Sequence, residues 1–361
     1  MVKLNKISVK GFKSISRLEN FEPGQLNVLI GPNGAGKSNF IGFFDFLRAV
    51  FTYRQMQDNV AYHGGAGAML HDGLDTTNII EAQFELETED EIIEYAFVLM
   101  YAKPDRLVFR EEKYRTKKDK ETDWHYMHGY LEESGLVFED NKTAKAINSF
   151  WQGIAIYQFH NTSEIARIRN RWSVQDGMKL MHSGENLGSF LYNLKQNQYP
   201  YYNRIKLVLR MVLPFFDDFE LENQYGYVYL KWREKGSAVV FNSTQASDGM
   251  LRIFCLFSLL GQDPDHISDV VFLDEPELGL HPSAIETLAG LIKKVSLKRQ
   301  LFVCTQSVSI LNYFNPEDIV VVDRKQRSSV YSKLDVDNLQ SWLETYSLGV
   351  LWDKNVLGGR P

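Results

Sequence analysis

Residues 31–38 read Gly31-Pro32-Asn33-Gly34-Ala35-Gly36-Lys37-Ser38 and satisfy G-x-x-x-x-G-K-[ST] at every fixed position. This pattern constrains the chain more narrowly than any other stretch, because it works only between a buried strand and a helix. Both flanks comply: Leu26 to Ile30 is a short apolar run that predicts a strand, and Asn39 to Phe51 predicts a helix. In that setting the glycines turn backbone N–H groups toward the β- and γ-phosphates of a nucleotide. The helix N-terminus adds a partial positive charge. Asn33, Gly34, Ala35, Gly36, Lys37, Ser38 and Asn39 are therefore the candidate phosphate-binding residues. Lys37 is assigned to the β/γ oxygens and Ser38 to Mg²⁺.

The totals fit a globular protein of one to three domains: 361 residues, 44% hydrophobic and 24% charged. The net charge of −6 gives no global attraction to nucleic acid, so any such contact must come from a local patch. Cys255 and Cys304 lie in apolar stretches and read as buried, inert thiols. A signal-peptide core and an apolar run of about 18 residues are both absent, which predicts a cytoplasmic protein without membrane contact.

Leu4 to Val9 and Ile15 to Phe21 predict a hairpin. Lys13 in its turn either approaches the nucleotide or is solvated. Val60 to Asp75, with Gly64, Gly65, Gly67 and Gly73, predicts a loop. Strands then follow at Ile80 to Leu86, Ile92 to Tyr101 and Arg106 to Tyr114, an antiparallel meander within a β-rich arm of about residues 78–137. It carries Lys103, Arg106, Arg110, Lys113, Arg115, Lys117, Lys118 and Lys120, interspersed with Glu111, Glu112, Asp119 and Glu121. A solvated hairpin is the first reading, a nucleic-acid or partner contact the second. Ile154 to Phe159 predicts a strand, and Ile165 to Trp172, Leu187 to Gln196 and Tyr202 to Leu213 predict helices. Phe219 to Trp232 and Ala238 to Phe241 predict strands. Asp269 to Leu273 and Gln300 to Thr305 are buried strands that end in polar clusters, Asp274-Glu275 and Gln306-Ser307.

Ligand chemistry in open α/β sheets sits at the carboxyl ends of strands. Asp274 is thus the candidate Mg²⁺ ligand, and Glu275 the group that orients and deprotonates an attacking water. Ser247-Asp248-Gly249 before the apolar run Met250 to Leu260 resembles the signature motif of ABC-type ATPases. Leu273-Asp274-Glu275-Pro276-Glu277-Leu278-Gly279-Leu280-His281-Pro282 is similar to the acidic strand and loop of RecF, chromosome-maintenance (SMC) heads and overcoming-lysogenisation-defect (OLD) ATPases. The tail, Trp342 to Pro361, resembles stand-alone bacterial predicted ATPases of the AAA type, whose relatives occur in phage defence and DNA repair.

The resemblance implies an α/β P-loop fold of the ABC class, with the β-rich arm and a helical lid inserted between phosphate loop and signature. Boundaries are expected at 1–160 (core and arm), 161–240 (lid) and 241–361 (signature helix, acidic strand, switch strand and last helix). It implies ATP and Mg²⁺ held between two heads, with Ser247 and Gly249 meeting the γ-phosphate of the opposing subunit. It further implies a glutamine that joins Mg²⁺ to the lid; Gln158 is preferred, with His160 two residues on. Most ABC ATPases have a histidine where Gln306 stands. An amide hydrogen-bonds the γ-phosphate but takes no proton, so slow hydrolysis is expected. Ala246 replaces the usual leucine before the serine. His281 either meets the partner subunit or is solvated.

No sustained heptads occur between Ser38 and Ser247, and little follows the strand Val330 to Leu334, which reads as a head without coiled-coil arms or a nuclease domain. The expected activity is ATP hydrolysis coupled to homodimerisation, with DNA binding or control of a partner effector as its output, in defence or repair. DNA binding would rest on Arg167, Arg169, Arg171, Arg204, Lys206 and Arg210. The alternative is a nucleotide-gated interaction protein with little hydrolysis that restrains or releases a toxin or nuclease.

Overall fold

The computed structural model describes residues 2–117, 122–127 and 131–359. Lys118, Asp119, Lys120 and Glu121 of the basic segment, and Arg360 and Pro361 of the tail, lie outside the described residues. The chain begins with β1 (Lys3–Phe12), β2 (Ile15–Phe21), β3 (Leu26–Ile30) and α1 (Lys37–Arg48), then α2 (Met56–Tyr62) and α3 (Ala66–Met69). It continues with β4 (Ile79–Glu87), β5 (Ile92–Ala102), β6 (Arg106–Lys117), β7 (His125–Tyr126), α4 (Lys142–Gln152) and β8 (Ile154–Tyr157). The middle holds β9 (Trp172–Ser173), α5 (Leu187–Asn197), α6 (Tyr199–Val212), β10 (Phe216–Phe219), β11 (Tyr227–Val228), β12 (Lys231–Glu234) and β13 (Val240–Asn242). The last part is α7 (Asp248–Gly261), β14 (Val270–Asp274), α8 (Pro282–Ser296), β15 (Gln300–Thr305), α9 (Val308–Leu311), β16 (Ile319–Lys325), β17 (Ser328–Lys333), α10 (Val336–Leu343) and α11 (Leu348–Asp353).

Two compact units divide these elements, Met1–Ile154 with Pro316–Pro361, and Ala155–Asn315. In the first unit the β-rich segment continues the N-terminal hairpin: the antiparallel order is β2-β1-β4-β5-β6-β7. Strict alternation explains its two faces. Along β4, Ile80, Ala82, Phe84 and Leu86 are buried while Gln83 and Glu87 are exposed. The inner face meets α1 and α4 in an aromatic cluster, where Trp151 stacks on Phe51 at 4.6 Å and meets Phe84 edge-on at 5.1 Å. Helix α1 buries Phe40, Ile41, Phe43, Phe44, Phe46 and Leu47, an apolar surface too broad for an exposed helix. Three basic residues of β6 are half-buried and paired within the sheet. Lys113 pairs with Glu111 at 2.6 Å, Arg115 with Glu94 at 2.5 Å and Lys117 with Glu94 at 2.7 Å. In the same unit β16 runs parallel to the wholly buried β3 and antiparallel to β17.

In the second unit β14 and β15 pair in parallel, with Asp274 opposite Cys304 and Phe272 stacked on Phe302 at 4.6 Å. Helix α7 is apolar nearly all round, and Phe254 meets Phe216, Phe219 and Trp232. Both cysteines are buried and unpaired with each other; burial pushes the Cys255 thiol up, so it stays protonated and inert.

Three expectations are corrected. Residues 60–75 hold the end of α2 and all of α3, because Met56, Val60, Ala66 and Met69 find burial that their spacing does not advertise. Ile165 to Trp172 forms only a short 3₁₀ turn, Arg167–Arg169, since Arg169 is drawn into the interior by main-chain carbonyls and breaks the helical period. Phe219 to Trp232 is interrupted between β10 and β12 by a turn at Tyr225-Gly226, where both residues have positive φ.

Candidate functional site

The phosphate loop is held by its own unit. Gly34 and Gly36 have φ of 78° and 116°, which only glycine adopts without strain. A Cβ on Gly36 would also collide with the Ser329 hydroxyl, and one on Gly31 with the Val322 carbonyl. Ser329 Oγ donates to Ala35 O at 2.6 Å, and the Tyr331 hydroxyl donates to Gly36 O at 3.0 Å. Ser14 Oγ lies 2.6 Å from Ser329 Oγ and accepts from Asn39 Nδ2 at 2.7 Å. Strand β17 and the β1–β2 turn thus hold two loop carbonyls on one side. Lys37 is buried, its Nζ donating to Gly31 O at 2.5 Å and Pro32 O at 3.1 Å. Ser38 and Asn33 are exposed. Lys13 is half-buried, with φ 43°; burial lowers its ammonium pKa, and its carbonyl is 2.6 Å from His71 Nδ1. It sits beside Ser14 in the turn that braces the loop. Sequence reasoning missed Ser14, Ser329 and Tyr331, which carry no motif; only the loop they touch reveals them.

In the second unit several polar groups gather at the end of β14. Gln158 Nε2 donates to Asp274 Oδ2 at 3.2 Å, and His160 Nε2 lies 3.9 Å from the same oxygen. Glu275 has φ 42° and donates its N–H to Cys304 O at 2.8 Å. A non-glycine residue in the left-handed region at a strand end is a local strain of the kind that concentrates at functional sites. Gln306 Nε2 donates to Glu275 Oε1. The third acid of the motif, Glu277, has no role assigned from sequence. It is buried, accepts from Thr305 Oγ1 at 2.5 Å, and burial raises its pKa.

Ser247 is the N-cap of α7, its Oγ accepting from Met250 N at 3.3 Å. An open recess of about 730 Å³ lies in front of it, lined by Ser163, Glu164, Arg169, Thr244, Ala246, Ser247 and Asp248. Gly249 sits on the first turn, where its missing side chain leaves room for Gly279 O. His281 is exposed and caps α8, with Nδ1 3.0 Å from Ser283 Oγ.

Of the six cations expected to form a nucleic-acid patch, Arg167 and Arg171 are exposed, while Arg169, Arg204, Lys206 and Arg210 are engaged within the chain. Arg169 is buried among carbonyls, and Arg204 donates to Gly261 O and Gln262 O. Lys206 pairs with Asp218 at 3.3 Å and Arg210 with Asp217 at 2.6 Å. Arg167 and Arg171 lie over Trp172 and Tyr227. Arg169 finds acceptors that a helical reading of 165–172 could not foresee.

Comparisons with known proteins agree with this architecture. Three solved chains share the fold at low identity. An SMC head bound to the C-terminal winged-helix domain of ScpA has TM-score 0.57 and 15% identity, covering 94% of this chain and 99% of that one. An SMC head with an extended coiled coil, bound to the C-terminal domain of ScpA and derived from Pyrococcus furiosus, has TM-score 0.55 and 15% identity, covering 95% and 99%. The SMC head domain from Thermotoga maritima has TM-score 0.50 and 16% identity, covering 92% and 100%. Among curated proteins, the chromosome partition protein Smc of Methanocaldococcus jannaschii is 34% identical over 73 residues, 19% of this chain and only 6% of that protein. The fold is an ABC-type P-loop ATPase head similar to those of SMC proteins. Residues 26–312 match the family model described as "AAA domain, putative AbiEii toxin, Type IV TA system", and the chain belongs to that family.

Proposed function

We propose that the protein binds and hydrolyses ATP with Mg²⁺, that two copies close around the nucleotide, and that the closed dimer controls a partner protein. The observation that carries this reading is the open recess at Ser247. A polar concavity at the N-terminus of a buried helix offers N–H groups to a phosphate supplied from outside the chain. The phosphate loop supplies Asn33 to Asn39 for the triphosphate held in cis, with Lys37 released from its two carbonyls to meet the β/γ oxygens.

The Ser38 hydroxyl, the Asp274 carboxylate and the Gln158 amide oxygen are each oxygen donors of the kind Mg²⁺ takes alongside phosphate and water. Among the described residues no cluster of three or more His, Cys, Asp or Glu could hold a metal ion. Glu275 takes the proton of the attacking water and Gln306 orients that carboxylate. Gln306 accepts no proton itself, which favours slow turnover and a switch rather than a motor.

Control of a partner is preferred to DNA binding, because Arg169, Arg204, Lys206 and Arg210 are engaged within the chain and only Arg167 and Arg171 of the six are exposed. Two of the similar SMC heads were solved with a domain of ScpA, and the family's description names a toxin of a type IV system. A toxin or nuclease restrained by the head is the corresponding partner here, in phage defence. Turnover measured with and without duplex DNA separates the two outputs. For the dimer, Glu275→Gln should keep ATP binding, lose about 10²-fold or more in hydrolysis and accumulate as a dimer with ATP and Mg²⁺. Ser247→Arg should abolish that dimer. A Glu275→Gln protein that stays monomeric in light scattering at high concentration would sink the reading.

A further inference from the structure

Arg169 lines the recess at Ser247, but its guanidinium is turned to acceptors of the chain itself. Its side chain is 8% exposed. Nε donates to Thr162 O at 3.1 Å and Ser163 O at 3.0 Å; Nη1 to Ser243 O at 2.5 Å and Ala246 O at 3.1 Å; Nη2 to Thr162 O at 2.8 Å and Asp248 Oδ1 at 3.1 Å. Four main-chain carbonyls and one carboxylate are thus bound by one planar fork, a load only arginine can carry. The return contact is Ser243 Oγ to Arg169 O at 2.9 Å, with Ser243 fully buried.

These acceptors come from two places. Thr162 and Ser163 follow Gln158, which touches Asp274. Ser243, Ala246 and Asp248 surround Ser247, which faces the recess. The loop between is knit by its own turns, Thr162 N to His160 O at 3.1 Å and Ala166 N to Ser163 O at 2.9 Å. From the other side, Arg252 of α7 donates to Phe159 O at 3.2 Å. Asp248 raises a second point. A carboxylate next to the signature serine repels an incoming phosphate, and the guanidinium at 3.1 Å offsets that charge.

We infer that Arg169 is a positioning residue that makes the segment after Gln158 and the signature N-terminus move as one body, so that the state of the metal-side glutamine sets the readiness of Ser247 for a second head. The inference rests on the two-headed reading above. It assigns to Arg169 the coupling between a head's own nucleotide and its affinity for a partner copy.

The test uses full-length protein in the Glu275→Gln background, with ATP and Mg²⁺. Arg169→Lys keeps the charge but cannot reach five acceptors. It should leave the ATP affinity of the monomer unchanged in calorimetry and weaken dimerisation by about tenfold or more in light scattering, within the usual range of coupling between sites. A merely structural role at Ser247 would weaken assembly as well, so hydrogen exchange on dilute monomer separates the two: ATP with Mg²⁺ should slow exchange at residues 243–250 in the Glu275→Gln protein and no longer do so once Arg169→Lys is added. If Glu275→Gln alone stays monomeric, the two-headed reading fails; if it dimerises and adding Arg169→Lys changes nothing, the role of Arg169 fails. Should Arg169→Lys not fold, hydrogen exchange on dilute monomeric wild type decides. ATP with Mg²⁺ should slow exchange in residues 159–166 and 243–250 together, and slowing confined to 159–166 overturns the inference.

Discussion

Tyr331 shows how a residue outside any motif shapes the phosphate loop. Its hydroxyl holds the Gly36 carbonyl at 3.0 Å while its ring packs 5.5 Å from Phe40. Tyr331→Phe keeps the packing and loses one hydrogen bond worth about 0.5–1.5 kcal/mol, so affinity for ADP and ATP should fall by the same factor, a few-fold to about tenfold. Calorimetry checks this, and unequal losses would count against a role at the shared β-phosphate. Glu277 makes a different prediction. Burial raises its pKa, so the folded protein holds the proton more tightly than the unfolded chain. The stability this contributes is full below the ordinary carboxylate range and is lost as pH rises through the raised value. Glu277→Gln keeps an acceptor for Thr305 but cannot titrate. Denaturant unfolding from about pH 5 to pH 8 should therefore show a smaller loss of stability in the variant than in wild type.

Helix α4 shows what an element needs. Asn141 caps it through Ala144 N at 2.9 Å, and Ala144, Ile147, Phe150 and Trp151 form one buried face. Trp151 locks that face into the aromatic cluster under the antiparallel sheet. Trp151→Ala should cost about 3–5 kcal/mol in denaturant unfolding. Trp151→Phe should cost much less. The buried indole Nε1 has no hydrogen-bond partner among the described residues, and phenylalanine removes that donor while keeping most of the ring contact. A phenylalanine variant as unstable as the alanine one would show that shape, not burial, governs the contact.

For the whole molecule, ligand binding and stability are linked. ATP bound only by the folded state at a hundredfold excess over its Kd should add about 2.7 kcal/mol to the unfolding free energy. Lys37→Ala should remove that gain, because no other cation of the loop lies between the phosphates. Removing Lys37 also leaves the carbonyls of Gly31 and Pro32 without that donor, so the variant without nucleotide should melt somewhat below wild type. Thermal melts with and without ATP and Mg²⁺ measure both. No helix among the described residues is long and apolar enough to cross a membrane.

The phosphate loop, the acidic strand end and the capped signature helix were legible in the sequence because each depends on local chemistry: glycines for positive φ, apolar runs for buried strands, a serine before an apolar helix. The antiparallel strands of residues 79–117 were legible for the same reason, since alternation is a local property. Only tertiary structure joined those strands to the N-terminal hairpin, because strand pairing is set by long-range burial. It likewise placed Ser329 and Tyr331 on the loop carbonyls, roughly 290 residues away in sequence. The arginines of residues 167–171 mark the boundary most clearly. Sequence counts their charges, but whether a guanidinium meets solvent or five acceptors depends on where unpaired carbonyls fall in the fold, and buried carbonyls must be satisfied.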